Sequence, residues 1–221
     1  MLERLIPLPR RRLTQRVDLG ASPARVWQLV RHTDLARTAA LRVLLGAWLP
    51  TRGRLEAGSH RWLSVEDFHS TPTQPGFQML ASEPLREFTV GAVARLRRLK
   101  LMFLHVDGAD EFMAFSEPGW VKLAWSVRVA DRPGGCSRLS FELRMGATDQ
   151  RAWRSARWYF AAIGPGVNWT VRRVLGSIAD ELGWPTRLGV AHQPRVQAAS
   201  RTSEVSPAAL RLDRAAHRWS S

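Results

Sequence analysis

A chain of 221 residues, 45% of them apolar and ten of them tryptophan, is long enough for one domain with a substantial core and tails left over. Its single cysteine, Cys136, excludes an internal disulfide framework and a cysteine-cluster metal site. The formal net charge of +14 would suit nucleic acid or an anionic membrane. However, Lys100 and Lys122 are the only lysines among 33 basic residues and the arginines are scattered, which reads as coding bias, so no specific nucleic-acid partner is expected.

Met1 to Leu13 is rich in proline and arginine and has no apolar run of signal-peptide length. It is expected to be a loosely held basic arm. With no stretch of 18 apolar residues anywhere, the expected location is cytoplasmic. Thr14 to Leu19 reads as the first strand, with Val17 and Leu19 on one face. Ser22-Pro23 then starts a short helix to Arg31, Ser22 as N-cap and Pro23 as first helical residue, with Val26, Trp27 and Val30 on its buried side. Thr33-Asp34 signals a second short helix to about Ala40. Leu41 to Leu49 is strongly apolar without clean alternation: a core helix, a strand or the lip of a pocket.

A strand is expected over Arg61 to Asp67, and Pro72 and Pro75 mark a loop. Phe77 to Ser82 and Arg86 to Gly91 flank Glu83-Pro84 and read as a hairpin. In Ala92 to Asp110, Val93, Leu96, Leu99 and Phe103 recur every three or four residues among Arg95, Arg97, Arg98 and Lys100. Such a basic amphipathic piece covers an edge of its own domain or touches an anionic membrane. Glu111 to Phe115 reads as a short strand and Pro118-Gly119 as a turn.

Two strands then alternate clearly. Trp120 to Asp131 sets Val121, Leu123, Trp125, Val127 and Val129 against Lys122, Ser126 and Arg128. Ser137 to Met145 sets Leu139, Phe141, Leu143 and Met145 against Arg138, Ser140, Glu142 and Arg144. One apolar face and one polar face make an antiparallel sheet with one side wet, so Glu142 and Arg144 are expected in solvent. Asp149 to Leu182 follows as one long amphipathic helix, with Trp153, Ala156, Phe160, Ile163, Val167, Val171, Val174 and Ile178 down one side. Asp149 can cap its start, and Gly183 with Pro185 stops it. Gly164-Pro165-Gly166 predicts a kink or two helices in near succession. Thr186 to Ser221 is rich in Ala, Arg, Ser and Gln and reads as a disordered basic tail, with a short helix possible after Ser206-Pro207.

Strand, two short helices, about six antiparallel strands and a long helix make an α+β fold, a curved sheet of six to seven strands wrapped around the C-terminal helix. The residues resemble the START/Bet-v-type helix-grip superfamily, also called SRPBCC. Ala21-Ser22-Pro23-Ala24-Arg25-Val26-Trp27 resembles its opening, and Phe77 to Leu80 with Glu83-Pro84 and Arg86-Glu87-Phe88 resembles its central hairpin in uncharacterised bacterial members. Glu117 to Lys122, Arg138 to Arg144, Ala147-Thr148-Asp149 and Ile163 to Gly166 continue the likeness, which covers residues 14 to about 183. Gly164 departs from it, standing where such members often carry arginine.

The resemblance implies a cavity between sheet and helix for a lipid, a sterol or a polyketide. The residues alone agree: Phe77, Met79, Phe88, Trp125 and Phe141 could line the sheet side, and Trp153, Phe160 and Val167 the helix side. Plain core filling would use the same stripe. Catalytic candidates are thin. His32, His60, His69 and His105 show no metal-ligand spacing, and no nucleophile elbow, phosphate loop or dinucleotide glycine pattern occurs, so no metal and no cofactor are expected. Glu87, if it points inward, could act as a general base, and Tyr159 could orient a ligand carbonyl. Three readings follow: a binder or carrier of an apolar small molecule, which leads; a cyclase or dehydratase in the same cavity; and a membrane- or protein-surface module using Arg95 to Lys100.

Overall fold

Alternation builds the sheet, and the computed structural model, which describes residues 1–32, 68–97 and 100–183, carries it through six antiparallel strands. They are β1 (Arg11–Leu19), β2 (Gln78–Glu83), β3 (Glu87–Arg97), β4 (Lys100–Leu104), β5 (Val121–Arg132) and β6 (Cys136–Ala147), in the order β1-β6-β5-β3-β2. β4 pairs with β3 beyond the end of β2, so β2 and β4 share one edge of β3. The helices are α1 (Leu2–Leu5), α2 (Pro23–His32), α3 (Ala109–Ala114) and α4 (Gln150–Glu181). This is the expected α+β arrangement, an open antiparallel sheet with a long C-terminal helix.

The β5–β6 hairpin forms where the alternation predicts it. Gly134 and Gly135 close its loop at φ 80° and 71°, a left-handed conformation that costs a side-chain-bearing residue energy. Cys136 begins β6. One face of the sheet carries Val17, Leu19, Phe88, Val90, Leu123, Leu139 and Leu143 into the main core, which α2 and α4 complete with Val26, Trp27, Phe160, Val167 and Ile178. Asp149 caps α4 as expected: its carboxylate accepts from the Ala152 N–H at 2.8 Å and also from the Gly119 N–H. These two backbone donors hold its carboxyl below the usual range, so the cap is fully charged at neutral pH.

Four expectations change. First, of the two outcomes expected at Gly164-Pro165-Gly166, two successive helices do not form: α4 is continuous for 32 residues with Pro165 inside it. Ala161, Pro165 and Gly166 are exposed, so the carbonyl that proline leaves without a helix partner faces water rather than core. Second, Met1 to Leu13 is not a loose arm. β1 already starts at Arg11, and α1 presses Leu2, Leu5 and Ile6 into a second, smaller core on the other face of the sheet with Leu80, Val93, Val106, Phe112 and Ala124. Third, the segment read as a strand at Glu111 to Phe115 is helix α3, whose Phe112 is the buried anchor of that second core. Fourth, the basic stretch after Ala92 is the β3–β4 hairpin. Gly91 in β3 lies beneath this layer, and any side chain there would run into Leu80, Phe112 and the Leu123 carbonyl. The helix expected to Ala40, the apolar segment 41–49, the strand near 61–67 and the tail after Pro185 lie outside the described residues.

Candidate functional site

The face of the sheet turned toward α4 is aromatic at its middle. Trp125 lies on β5, the central strand, between Val90 of β3 and Leu143 of β6. Both neighbours are buried, whereas Trp125 is only half-buried. Its ring stacks on Phe141 at 5.9 Å and meets Phe88 and Phe68 edge-on at 5.7 Å and 5.3 Å. Trp27 of α2 extends the row, 6.0 Å from Phe88, and Phe77 packs on Phe103 at 5.5 Å. Edge-to-face and offset contacts of this kind add about 0.5–1.5 kcal/mol each beyond the area they bury.

All eight apolar residues named from the sequence belong to this one cluster, but they divide into two kinds. Phe77, Phe88, Phe160 and Val167 are buried and form its floor. Met79, Trp125, Phe141 and Trp153 keep part of their surface accessible, as do Tyr159, Ile163, Val171 and Val174 along α4. Phe160 and Tyr159 meet edge-on at 5.4 Å. Across the cluster a polar clamp ties β1 to α4: the Gln15 side-chain amide donates to the Asn168 carbonyl oxygen at 2.6 Å, and Gln15 is buried. Near it on α4, the hydroxyl of buried Thr170 has no hydrogen-bond partner among the described residues. Sequence reasoning missed Phe68, Phe103, Gln15 and Asn168. Gln15 stands in phase with Val17 and Leu19, which was the available signal.

Glu87 does not share this space with Tyr159. It is 5% exposed but lies on the opposite face of the sheet, in register with Arg128. One of its oxygens accepts from Arg128 Nε at 3.1 Å and Nη2 at 2.8 Å; the other is buried without a partner among the described residues. It lines a polar hollow of about 230 Å³ with Arg12, Thr14, Arg16, Ser126 and Glu142. Glu142 and Arg144, expected in solvent, are partly and almost completely covered there, because α1 lies over this face. Arg144 Nε donates to Glu142 at 2.6 Å and its Nη1 to the Ile6 carbonyl at 3.0 Å. Burial pushes the Glu142 carboxyl up, but hydrogen bonds from Arg12 and Arg144 outweigh it and hold the group below its usual range.

The basic segment is already engaged in part. The Arg95 guanidinium sits over the Trp120 ring at 4.4 Å, and Trp120 packs edge-on against Phe115. Among the described residues no three His, Cys, Asp or Glu side chains converge as a metal site would require, and no helix is long and apolar enough to cross a membrane.

No family model and no curated protein matches this chain. Several solved structures are similar in arrangement. Norcoclaurine synthase from Thalictrum flavum, a point mutant in complex with a transition-state analogue, is 9% identical with a TM-score of 0.38, over 78% of this chain and 93% of that one. Protein Ms6760 from Mycobacterium smegmatis is 14% identical with a TM-score of 0.38, over 77% and 90%. CalU16 from Micromonospora echinospora is 14% identical with a TM-score of 0.28, over 78% and 83%.

Proposed function

We propose that this protein binds a small apolar molecule between the aromatic face of its sheet and α4. The observation that carries the reading is Trp125: a central-strand aromatic on the covered face, flanked by buried neighbours, that still reaches solvent. Its accessible part offers an aromatic surface for an apolar ligand to cover. The lining supports a ligand recognised by shape and ring stacking, a sterol, lipid or aromatic polyketide, and the buried Thr170 hydroxyl on α4 is a candidate partner for its polar end. Carrier is preferred over cyclase because Glu87, the candidate base, faces the other way, behind the sheet.

The test is native mass spectrometry of protein purified from its own host, followed by titration of the molecule found. With ligand at about 100 times its Kd, linkage stabilises the fold by roughly 2.7 kcal/mol, which a thermal shift reads easily. Trp125→Ala weakens binding at least about tenfold by removing the stacking surface. Glu87→Gln leaves the affinity unchanged, because the sheet separates it from the ligand. A sample without bound mass that also shows no thermal shift with sterols, fatty acids or aromatic polyketides would remove the reading. Loss of binding in Glu87→Gln would revive the catalytic one.

A further inference from the structure

The outer side of α4 carries two tryptophans in water. Trp158 is 70% and Trp169 57% exposed, although tryptophan is among the side chains most covered on average in folded proteins. Eleven residues separate them, three helical turns and about 20°, so they stand on one line about 16 Å apart. That line points away from Phe160 and Val167, which face the sheet. Between the two rings lie exposed Ala162, Pro165 and Gly166, which add no charge and no bulk. Arginines bracket the apolar stretch, Arg151 and Arg154 before it and Arg172 and Arg173 after it, and Arg157 lies over the Trp158 ring at 5.1 Å. No acidic residue occurs from Arg151 to Ala179.

We propose that this face is a docking surface for an anionic lipid membrane, with Trp158 and Trp169 seated at the headgroup level and the flanking arginines on lipid phosphates. The inference is independent of any ligand inside the fold. Charge selects the occupant. A second copy docking through the same face would bring five arginines against five with no carboxylate between them. The segment Thr186 to Ser221 holds six arginines and two acidic residues, so it is repelled in the same way. The shape is a ridge along a single helix. A protein partner would need a matching apolar groove lined with acid, whereas a headgroup layer accepts a ridge without a preformed shape. Indole rings with flanking cationic side chains have the composition that lies in the membrane interface.

The test uses the full chain with vesicles of phosphatidylcholine alone or with about a third phosphatidylglycerol. Because the whole protein is basic, diffuse attraction must be separated from insertion, so the variant is Trp158→Ser/Trp169→Ser, which leaves the charge untouched. Both rings are exposed, so the variant keeps its thermal midpoint. The expected result is binding to anionic vesicles that weakens at least about tenfold in the variant. Brominated lipid should quench the wild-type fluorescence and quench the variant much less. Equal vesicle binding by the two proteins, or no quenching of the wild type, overturns the proposal. So does loss of binding in Arg97→Glu/Arg98→Glu with the tryptophan variant unaffected, which would move the surface to the β3–β4 hairpin. A wild type that sediments as a dimer and a tryptophan variant that sediments as a monomer would make the face a protein interface instead.

Discussion

Phe160→Ala is expected to lower the unfolding free energy by about 3–5 kcal/mol, in the range for a phenylalanine removed from a packed core. Phe160 is fully buried a third of the way along α4, in the same cluster as Phe88, Val90 and Leu143 of the sheet. The helix is held by that apolar side and by few polar ties, of which the Gln15–Asn168 bond is one. Truncation would leave a void the size of a ring at the seam between helix and sheet, where neighbours anchored on six strands relax little. Urea unfolding measures it, as a lower midpoint at unchanged slope. Trp158→Ala is the internal comparison: on the same helix but in water, it should change stability by no more than about 0.5 kcal/mol. A loss under about 1 kcal/mol for Phe160→Ala would mean that α4 does not seat this ring against the sheet. Small aromatic molecules that restore the stability of the variant, without affecting the wild type, would further mark the seam as able to hold a ligand.

The elements that could be read from sequence are those with a single dominant periodicity. In Trp120 to Asp131 and Ser137 to Met145 every second side chain is apolar, and in α4 every third or fourth, so each pattern fits one structure. The failures share a cause, which is a second layer on the far side of the sheet. From Glu87 to Ala94 β3 is buried on both faces, so Ala92, Val93 and Ala94 run on without the polar alternation that would have marked a strand, and Val93 and Leu96 fall by chance at helical spacing. Phe112 is the one fully buried side chain of α3, and one core residue in six cannot distinguish helix from strand. Alternation also says which side chains leave the core face but not what covers them afterwards. Glu142 and Arg144 are polar in phase, as solvent-facing residues are, yet α1 comes back over them. The aromatic cluster was legible because hydrophobic phase places Trp125 and Phe141 on one face. Which of its members stay accessible depends on how α4 lies across the sheet, and no local pattern carries that.

Arg144→Leu should cost the protein about 3–5 kcal/mol at neutral pH, the scale for breaking a buried ion pair from one side. Arg144 is 3% exposed, and each arm of its guanidinium is engaged: Glu142 at 2.6 Å, the Ile6 carbonyl at 3.0 Å and Glu3 at 3.1 Å. Leucine fills much of the space but supplies none of the donors. Glu142 keeps only Arg12 at 2.8 Å, the Ile6 carbonyl loses its partner under α1, and the two cannot satisfy each other because both accept. Lysine at the same position retains the charge without the fork and should fall between the two. The pH dependence separates this account from simple loss of packing. In the folded wild type the Glu142 carboxyl is held below the ordinary value near 4.5, so its contribution is complete above that pH and disappears as pH falls through the folded value. Without Arg144, burial still pushes the carboxyl up and one of the two opposing donors is gone, so the folded value rises and the contribution disappears earlier or reverses. Stability measured from pH 7 to pH 3 should therefore show a wide gap between wild type and Arg144→Leu at neutrality that narrows in acid, once Glu142 is protonated in both. A gap of constant size across that range would mean that Arg144 acts through its hydrocarbon stem and not through the carboxylate it holds.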